Sequence, residues 1–185
     1  KIIPLLILTT LVFGQEIVEF KTGTYFGECL GYCLSQLTIT ANDADYTLYG
    51  WDENDSLHQP VAISDTVDSI IWEDLNTLFD LDLFMSLDSM IGCPDCADGG
   101  AEWFEITTID TVKRVTIEFG DSLYGLNSYI DLFRSIRHSF EEIQACYFIP
   151  HTGACLAVIP RYYFEQEENE CLEFTWGGCG GLVPF

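Results

Sequence analysis

Four cysteines spaced C-x8-C-x15-C-x7-C, at positions 146, 155, 171 and 179, dominate the end of this 185-residue chain. A segment as short as the one they occupy cannot bury enough apolar surface to hold a fold by packing alone, so covalent staples have to supply what a core does not. Four more cysteines, at 29, 33, 93 and 96, lie in a longer and differently composed stretch. Whether all eight can pair depends on compartment, because disulfides persist where the surroundings are oxidising.

The first residues, KIIPLLILTTLVFGQ, bear on that compartment. Lys1 precedes an apolar run from Ile2 to Phe13, and Gly14 offers a small residue at a cleavage point before Gln15, which predicts a signal peptide over residues 1–14. The run is shorter than the roughly 20 residues that span a bilayer, and no other segment is long and apolar enough, so no membrane insertion is expected. No cysteine follows the cleavage point, which gives a lipid anchor no attachment site. The chain starts without Met and stops within a pattern, so it is expected to be a fragment at both ends. Charge narrows the partners: 7 Lys+Arg against 30 Asp+Glu give a formal net charge of -23, which excludes nucleic acid and anionic membrane surfaces, both of which are bound through basic residues. The expectation is a secreted or cell-surface monomer whose cysteines are mainly disulfide partners.

Residues 15–142 read as an α+β domain with an antiparallel sheet and two helices. EIVEFKT and SQLTIT alternate as strands, YTLYGW follows a turn at Asn42-Asp43-Ala44-Asp45, and AEWFEITTIDTVKRVTIEFGD reads as a hairpin turning at Asp110-Thr111. One helix is expected to begin near Ser69 as N-cap, with Ile70, Ile71, Leu75 and Leu78 on its apolar stripe. The other runs over about 127–142, with Ile130, Phe133, Ile136 and Phe140 at helical spacing. The stretch YFGECLGYC resembles the FG-x-C opening of a family of small secreted bacterial domains of unknown activity. That resemblance covers residues 20–141 and implies architecture alone.

Three groups in this domain suggest chemistry. Cys29, Cys33, Cys93 and Cys96 have the outline of a four-thiolate zinc site, but in an exported chain they read as two disulfides, either local or joining the early turn to the later loop. A redox role for CPDC needs a thiol at a helix N-terminus, and the following ADGGAEW starts a helix poorly. FGDSLYG, with Ser122, looks like the nucleophile block of the GDSL esterases, which requires a late Asp-x-x-His to supply the base. His138 follows Ser135-Ile136-Arg137, and neither His58 nor His151 completes the motif, so the block reads as a turn after a strand and no enzyme is expected. Asp43, Asp45, Asp52, Glu53 and Asp55, or Asp95, Asp98 and Glu102, could supply calcium oxygens. Neither set has the alternation of an EF-hand loop, and both read as solvated acidic faces. No metal and no cofactor are expected.

The tail carries the specific signal. Around its cysteines, Gly153 lies two residues before Cys155, RYYF follows at 161–164, Phe174 stands three after Cys171, and WGGC closes on Cys179. Arg161, Tyr162, Tyr163 and Phe164 alternate as a strand and LEFTW supplies a second, which makes the polar stretch from Glu165 to Glu170 the turn of a twisted hairpin. Residues 146–185 resemble the Kunitz (BPTI-like) inhibitor domain. The resemblance implies a bond between Cys155 and Cys179, worth on the order of 3 kcal/mol for a loop of that length. It also implies a protease-binding loop of Gly153, Ala154, Cys155, Leu156, Ala157, Val158 and Ile159, and a secondary loop of Thr175, Trp176, Gly177, Gly178 and Cys179. Leu156 would enter the specificity pocket of a chymotrypsin- or elastase-like serine protease, followed by Ala157.

In the family, the cysteines matching Cys146 and Cys171 bond to two more near a C-terminal helix. This chain reaches Phe185 before either, with LVPF in place of an expected asparagine, so the natural protein is expected to continue and the module here to be truncated. The implied function is secreted protease inhibition, with the larger domain as anchor, targeting unit or spacer. The alternative is a binding or structural protein that uses the Kunitz fold as a non-inhibitory scaffold. Channel block, which calls on basic residues, fits this charge poorly.

Overall fold

The computed structural model describes residues 16–27, 29, 31–51, 58–145, 148–165 and 167–180. The expected signal peptide, the acidic residues Asp52, Glu53 and Asp55, Cys146 and the LVPF segment lie outside the described residues.

Apolar residues alternating with polar ones build a six-stranded antiparallel sheet in the order β4-β3-β2-β1-β5-β6. Its strands are β1 (Ile17–Tyr25), β2 (Tyr32–Ile39), β3 (Asp43–Gly50), β4 (Val61–Thr66), β5 (Ala101–Thr108) and β6 (Val112–Glu118). In β2 every second residue, Cys33, Ser35, Leu37 and Ile39, is buried, as period-two geometry requires when one face is covered. Three helices, α1 (Ser69–Leu78), α2 (Leu81–Ser86) and α3 (Asn127–Ala145), add Leu75, Phe84, Tyr129, Ile130, Phe133 and Phe140 to the core that Phe20, Leu37, Ile39, Tyr46, Phe104 and Ile117 begin. Phe20 sits at its centre, ringed by Trp72, Phe79, Tyr129 and Phe133 at centroid distances of 5.4 to 5.8 Å.

The structure corrects several expectations in this region. The cap of α1 is Asp68, whose Oδ1 accepts from Ile70 N at 2.9 Å, and Ser69 is already helical. Ile70 is 63% and Leu78 43% exposed, so the stripe narrows to Leu75 and Ile71, and Trp72 takes the place against Phe20. The turn after β2 is tightened by Thr40, whose Oγ1 accepts from Asp43 N at 3.1 Å, so Asp43, Ala44 and Asp45 are strand residues. Helix α2 and strand β4 are additions to the expected elements. Helix α3 runs through Gln144 to Ala145, both good helix formers.

Glu102 is not on a solvated acidic face. It is fully buried on β5, where Oε2 accepts from Arg134 Nη2 at 2.5 Å and Oε1 from Arg137 Nη2 at 2.6 Å, fastening α3 to the sheet. Asp95 is likewise engaged, its Oδ1 accepting from Gly27 N and Gly100 N at 3.1 Å each. Cys29 bonds to Cys33 and Cys93 to Cys96, the local option, so the four sulfurs pair off within their own loops.

A second sheet holds β7 (Ile159–Glu165) and β8 (Glu170–Trp176), paired antiparallel with Arg161 opposite Phe174 and Phe164 opposite Cys171. Tyr163 meets Phe174 edge-on at 6.1 Å. Asn169 takes a left-handed φ of 53° to close the hairpin, a conformation that Asn tolerates better than most residues.

Candidate functional site

The β7–β8 hairpin places two loops side by side, one running into β7 and one leaving β8. Cys155 and Cys179 join them through a disulfide with a Cα–Cα separation of 5.4 Å. Backbone hydrogen bonds reinforce the clamp on either side: Ala157 N donates to Gly177 O at 2.9 Å, and Gly177 N donates to Thr152 O at 2.7 Å. The approach is so close that only glycine fits. A Cβ on Gly177 would lie 2.1 Å from Cys155 O, and one on Gly153, whose φ is 80°, would lie 2.1 Å from Cys179 O. Gly178 also turns through a positive φ, 94°, beside Ala157.

With its backbone so held, the loop turns its side chains outward. Leu156 is 97% exposed and Val158 79%. Exposed leucines are common on protein surfaces, but a nearly fully exposed one next to a cross-linked cysteine, on a loop bonded to its neighbour, is an apolar side chain presented on a rigid mount. Trp176 Nε1 donates to Gly180 O at 2.8 Å and fixes the outgoing loop, while the Arg161 guanidinium lies over the Trp176 ring at 5.5 Å. Gly153 N donates to His151 Nδ1 at 3.1 Å, a contact that the cysteine spacing does not reveal. Its one trace in the sequence is a histidine two residues before the glycine that turns the loop. Cys171 carries a free, exposed thiol on β8.

The other groups with possible chemistry have separate partners. Ser122 follows the turn after β6, and its amide N donates to Asp121 Oδ1 at 2.8 Å. His138 lies on α3, 3.6 Å from Glu141, and His151 belongs to the tail loop. Cys96 starts a single 3-10 turn, Cys96–Asp98, in which Ala97 and Asp98 have positive φ, so no α-helix begins at the CPDC segment to activate a thiol.

Comparison with protein families falls on the same segment. Residues 145–182 match the family model of the Kunitz/Bovine pancreatic trypsin inhibitor domain. Kunitz-type serine protease inhibitor NACI from Naja atra is 47% identical over 36 residues, which cover 20% of this chain and 44% of that protein. Carboxypeptidase inhibitor SmCI from Sabellastarte magnifica is 50% identical over 36 residues, 20% of this chain and 22% of that protein. Kunitz-type protease inhibitor 1 from Homo sapiens is 27% identical over 101 residues, 55% of this chain and 15% of that protein. The chain thus spans less than half the length of these relatives. The spacing of the cysteines, the clamped pair of loops and these matches together identify residues 145–182 as a Kunitz/BPTI domain.

Proposed function

We propose that the chain acts as a secreted, monomeric serine protease inhibitor whose loop 153–159 occupies the substrate cleft of the target, with Leu156 in the specificity pocket. The observation that carries this reading is the state of Leu156: almost wholly exposed, on a backbone held by the Cys155–Cys179 bond and by Gly177. A loop already ordered in one shape loses little conformational entropy on binding, and after cleavage its ends stay close enough to rejoin. The second loop, Thr175, Trp176, Gly177, Gly178 and Cys179, holds the first through the Gly177 hydrogen bonds to Thr152 and Ala157 and through the Cys155–Cys179 bond.

Leu156 favours an apolar pocket. Burying it contributes about 1.5–3 kcal/mol there, whereas a pocket floored by a carboxylate would lose its charge partner and be left with an uncompensated buried charge. The target is therefore a chymotrypsin- or elastase-like enzyme. Inhibition constants for the chain against chymotrypsin, elastase and trypsin test this: both apolar-pocket enzymes should be inhibited more strongly than trypsin, and Leu156→Lys should reverse the order. Trypsin inhibition that is the same before and after the substitution removes Leu156 from the pocket. Lack of inhibition of every serine protease by the folded chain favours the scaffold reading instead.

A further inference from the structure

The loop from Cys93 to Gly100, which leads into β5, is anchored at both ends and closed by a disulfide in between. Cys93 N donates to Glu118 Oε1 at 2.9 Å, and Gly100 O accepts from Phe119 N at 3.2 Å. The bond between Cys93 and Cys96 pins Cys96 within that span. The backbone that results is one its residues resist: Asp95, Ala97 and Asp98 have φ of 59°, 55° and 58°, the left-handed region in which a Cβ crowds the neighbouring carbonyl. Three of the four non-glycine residues with positive φ among the described residues fall in this one loop. Such conformations persist where the surroundings impose them, and here the Cys96 attachment is part of what imposes them.

Both Cys93 and Cys96 are exposed, so a small reagent reaches either sulfur. The other local disulfide, Cys29–Cys33, has one member 1% exposed in the core. Disulfides that are exposed and held against backbone strain are the ones that thiols open most readily. No α-helix begins at Cys96 to stabilise a released thiolate, so the bias toward opening comes from the left-handed residues, which relax once Cys96 is unpinned. That makes the pair a partner in exchange with other thiols rather than a catalyst of it. Asp95, Asp98 and Glu118 beside the pair, together with a net charge of -23, repel anionic reagents and favour cationic ones.

We propose that Cys93–Cys96 is a reversible thiol-exchange site, open to small thiols and to those bearing an amine ahead of anionic ones. The thiolate sulfur of the small molecule attacks one exposed Sγ, the Cys93–Cys96 bond breaks, and the other cysteine leaves as a thiolate that takes a proton from water. A second thiolate attacks the small-molecule sulfur of the mixed disulfide. Two small thiols thereby give up two electrons and depart as a disulfide, and both cysteines end as thiols. The test is a redox titration of the whole chain. Thiols already free, Cys171 among them, are blocked first. The chain is then equilibrated with mixtures of cysteamine and its disulfide, and newly released thiols are located by labelling and peptide mass. Cys93 and Cys96 should be labelled together, with circular dichroism unchanged, at a thiol excess at least about tenfold below the one that opens Cys29–Cys33. Ala97 is exposed, so its replacement alters the backbone preference without touching the core. Ala97→Gly should make the pair harder to open and Ala97→Val easier, the two midpoints differing by at least about tenfold in thiol excess. Glutathione, which is anionic, should exchange more slowly than cysteamine at equal thiolate concentration, and added salt should narrow the gap. Opening of Cys29–Cys33 first, identical midpoints for the two Ala97 variants, or glutathione as fast as cysteamine at low salt would each overturn the proposal.

Discussion

Gly177 has no positive φ to accommodate, so its role is purely steric, and that makes its replacement easy to interpret. Adding a methyl group would drive Cβ into Cys155 O and Thr152 O, separating the two loops. Gly177→Ala should cost about 1–3 kcal/mol of stability, as overpacking generally does, and weaken protease inhibition by at least tenfold. Paired thermal melts and inhibition constants check it, and an alanine variant that inhibits as well as the parent would show that the clamp is dispensable. Tyr129 presents the opposite case, a group the fold tolerates at a loss. Its hydroxyl is buried among Phe20, Phe79, Phe104 and Phe133 without a hydrogen-bond partner among the described residues, and burial pushes its pKa well up. Because an unmade buried hydrogen bond costs about 1–3 kcal/mol, Tyr129→Phe should stabilise the protein by roughly 1–2 kcal/mol in denaturant unfolding. A loss of stability would mean that the hydroxyl has a partner.

At the scale of elements, α3 is attached to β5 by charge as well as by packing. Removing one member of a buried ionic group leaves its partners uncompensated, so Glu102→Ala should cost about 3–5 kcal/mol. Replacing Glu102, Arg134 and Arg137 together with apolar residues of similar size should cost less than that single change. Chemical denaturation of the two variants makes the comparison, and the reverse order would show that the group contributes net stability as an ionic unit. This group was not legible in the sequence, where Glu102 reads as one more acidic residue near a loop. The strands of the large sheet were better marked, because burial on one face imposes period two on β2 and β6 and on the second half of β5. Strand β4 was missed because it is an edge strand with one exposed face and few apolar positions. Helix α2 is too short to show a period and rests on its Asp80 cap and on Phe84. Asp68 and Ser69 are both good caps, and the chain uses the earlier one. In the tail, cysteine spacing and glycine positions revealed the paired loops. The Gly177 hydrogen bonds depend on distances between residues far apart in the chain, which no local pattern encodes, whereas the His151 contact spans two residues and is marked in the sequence only by the histidine itself.

Across the whole molecule, the buried members of the large core lie between Phe20 and Phe140, and among the described residues the Kunitz segment adds none to it. The stacking of Phe148 on Tyr32 is a contact made by the connection between them. Thermolysin, a metalloprotease and so indifferent to a serine-protease inhibitor loop, should cut first between residues 145 and 153 and leave residues 16–145 as a resistant fragment. Equal resistance across the chain would mean that the tail is held to the larger unit along its length. The order of the sheet has a consequence for how the protein is made. Strand β1 lies between β2, which follows it within a few residues, and β5, which begins at Ala101. A chain delivered from its N-terminus can close the first pairing at once, but the other edge of β1 must wait until most of the domain has emerged. During that interval it offers unpaired amides and carbonyls beside Phe20, a template for another chain. Quality-control factors that recognise open strands should therefore engage nascent chains that have exposed β1 and β2, and let go once Ala101–Thr108 has docked.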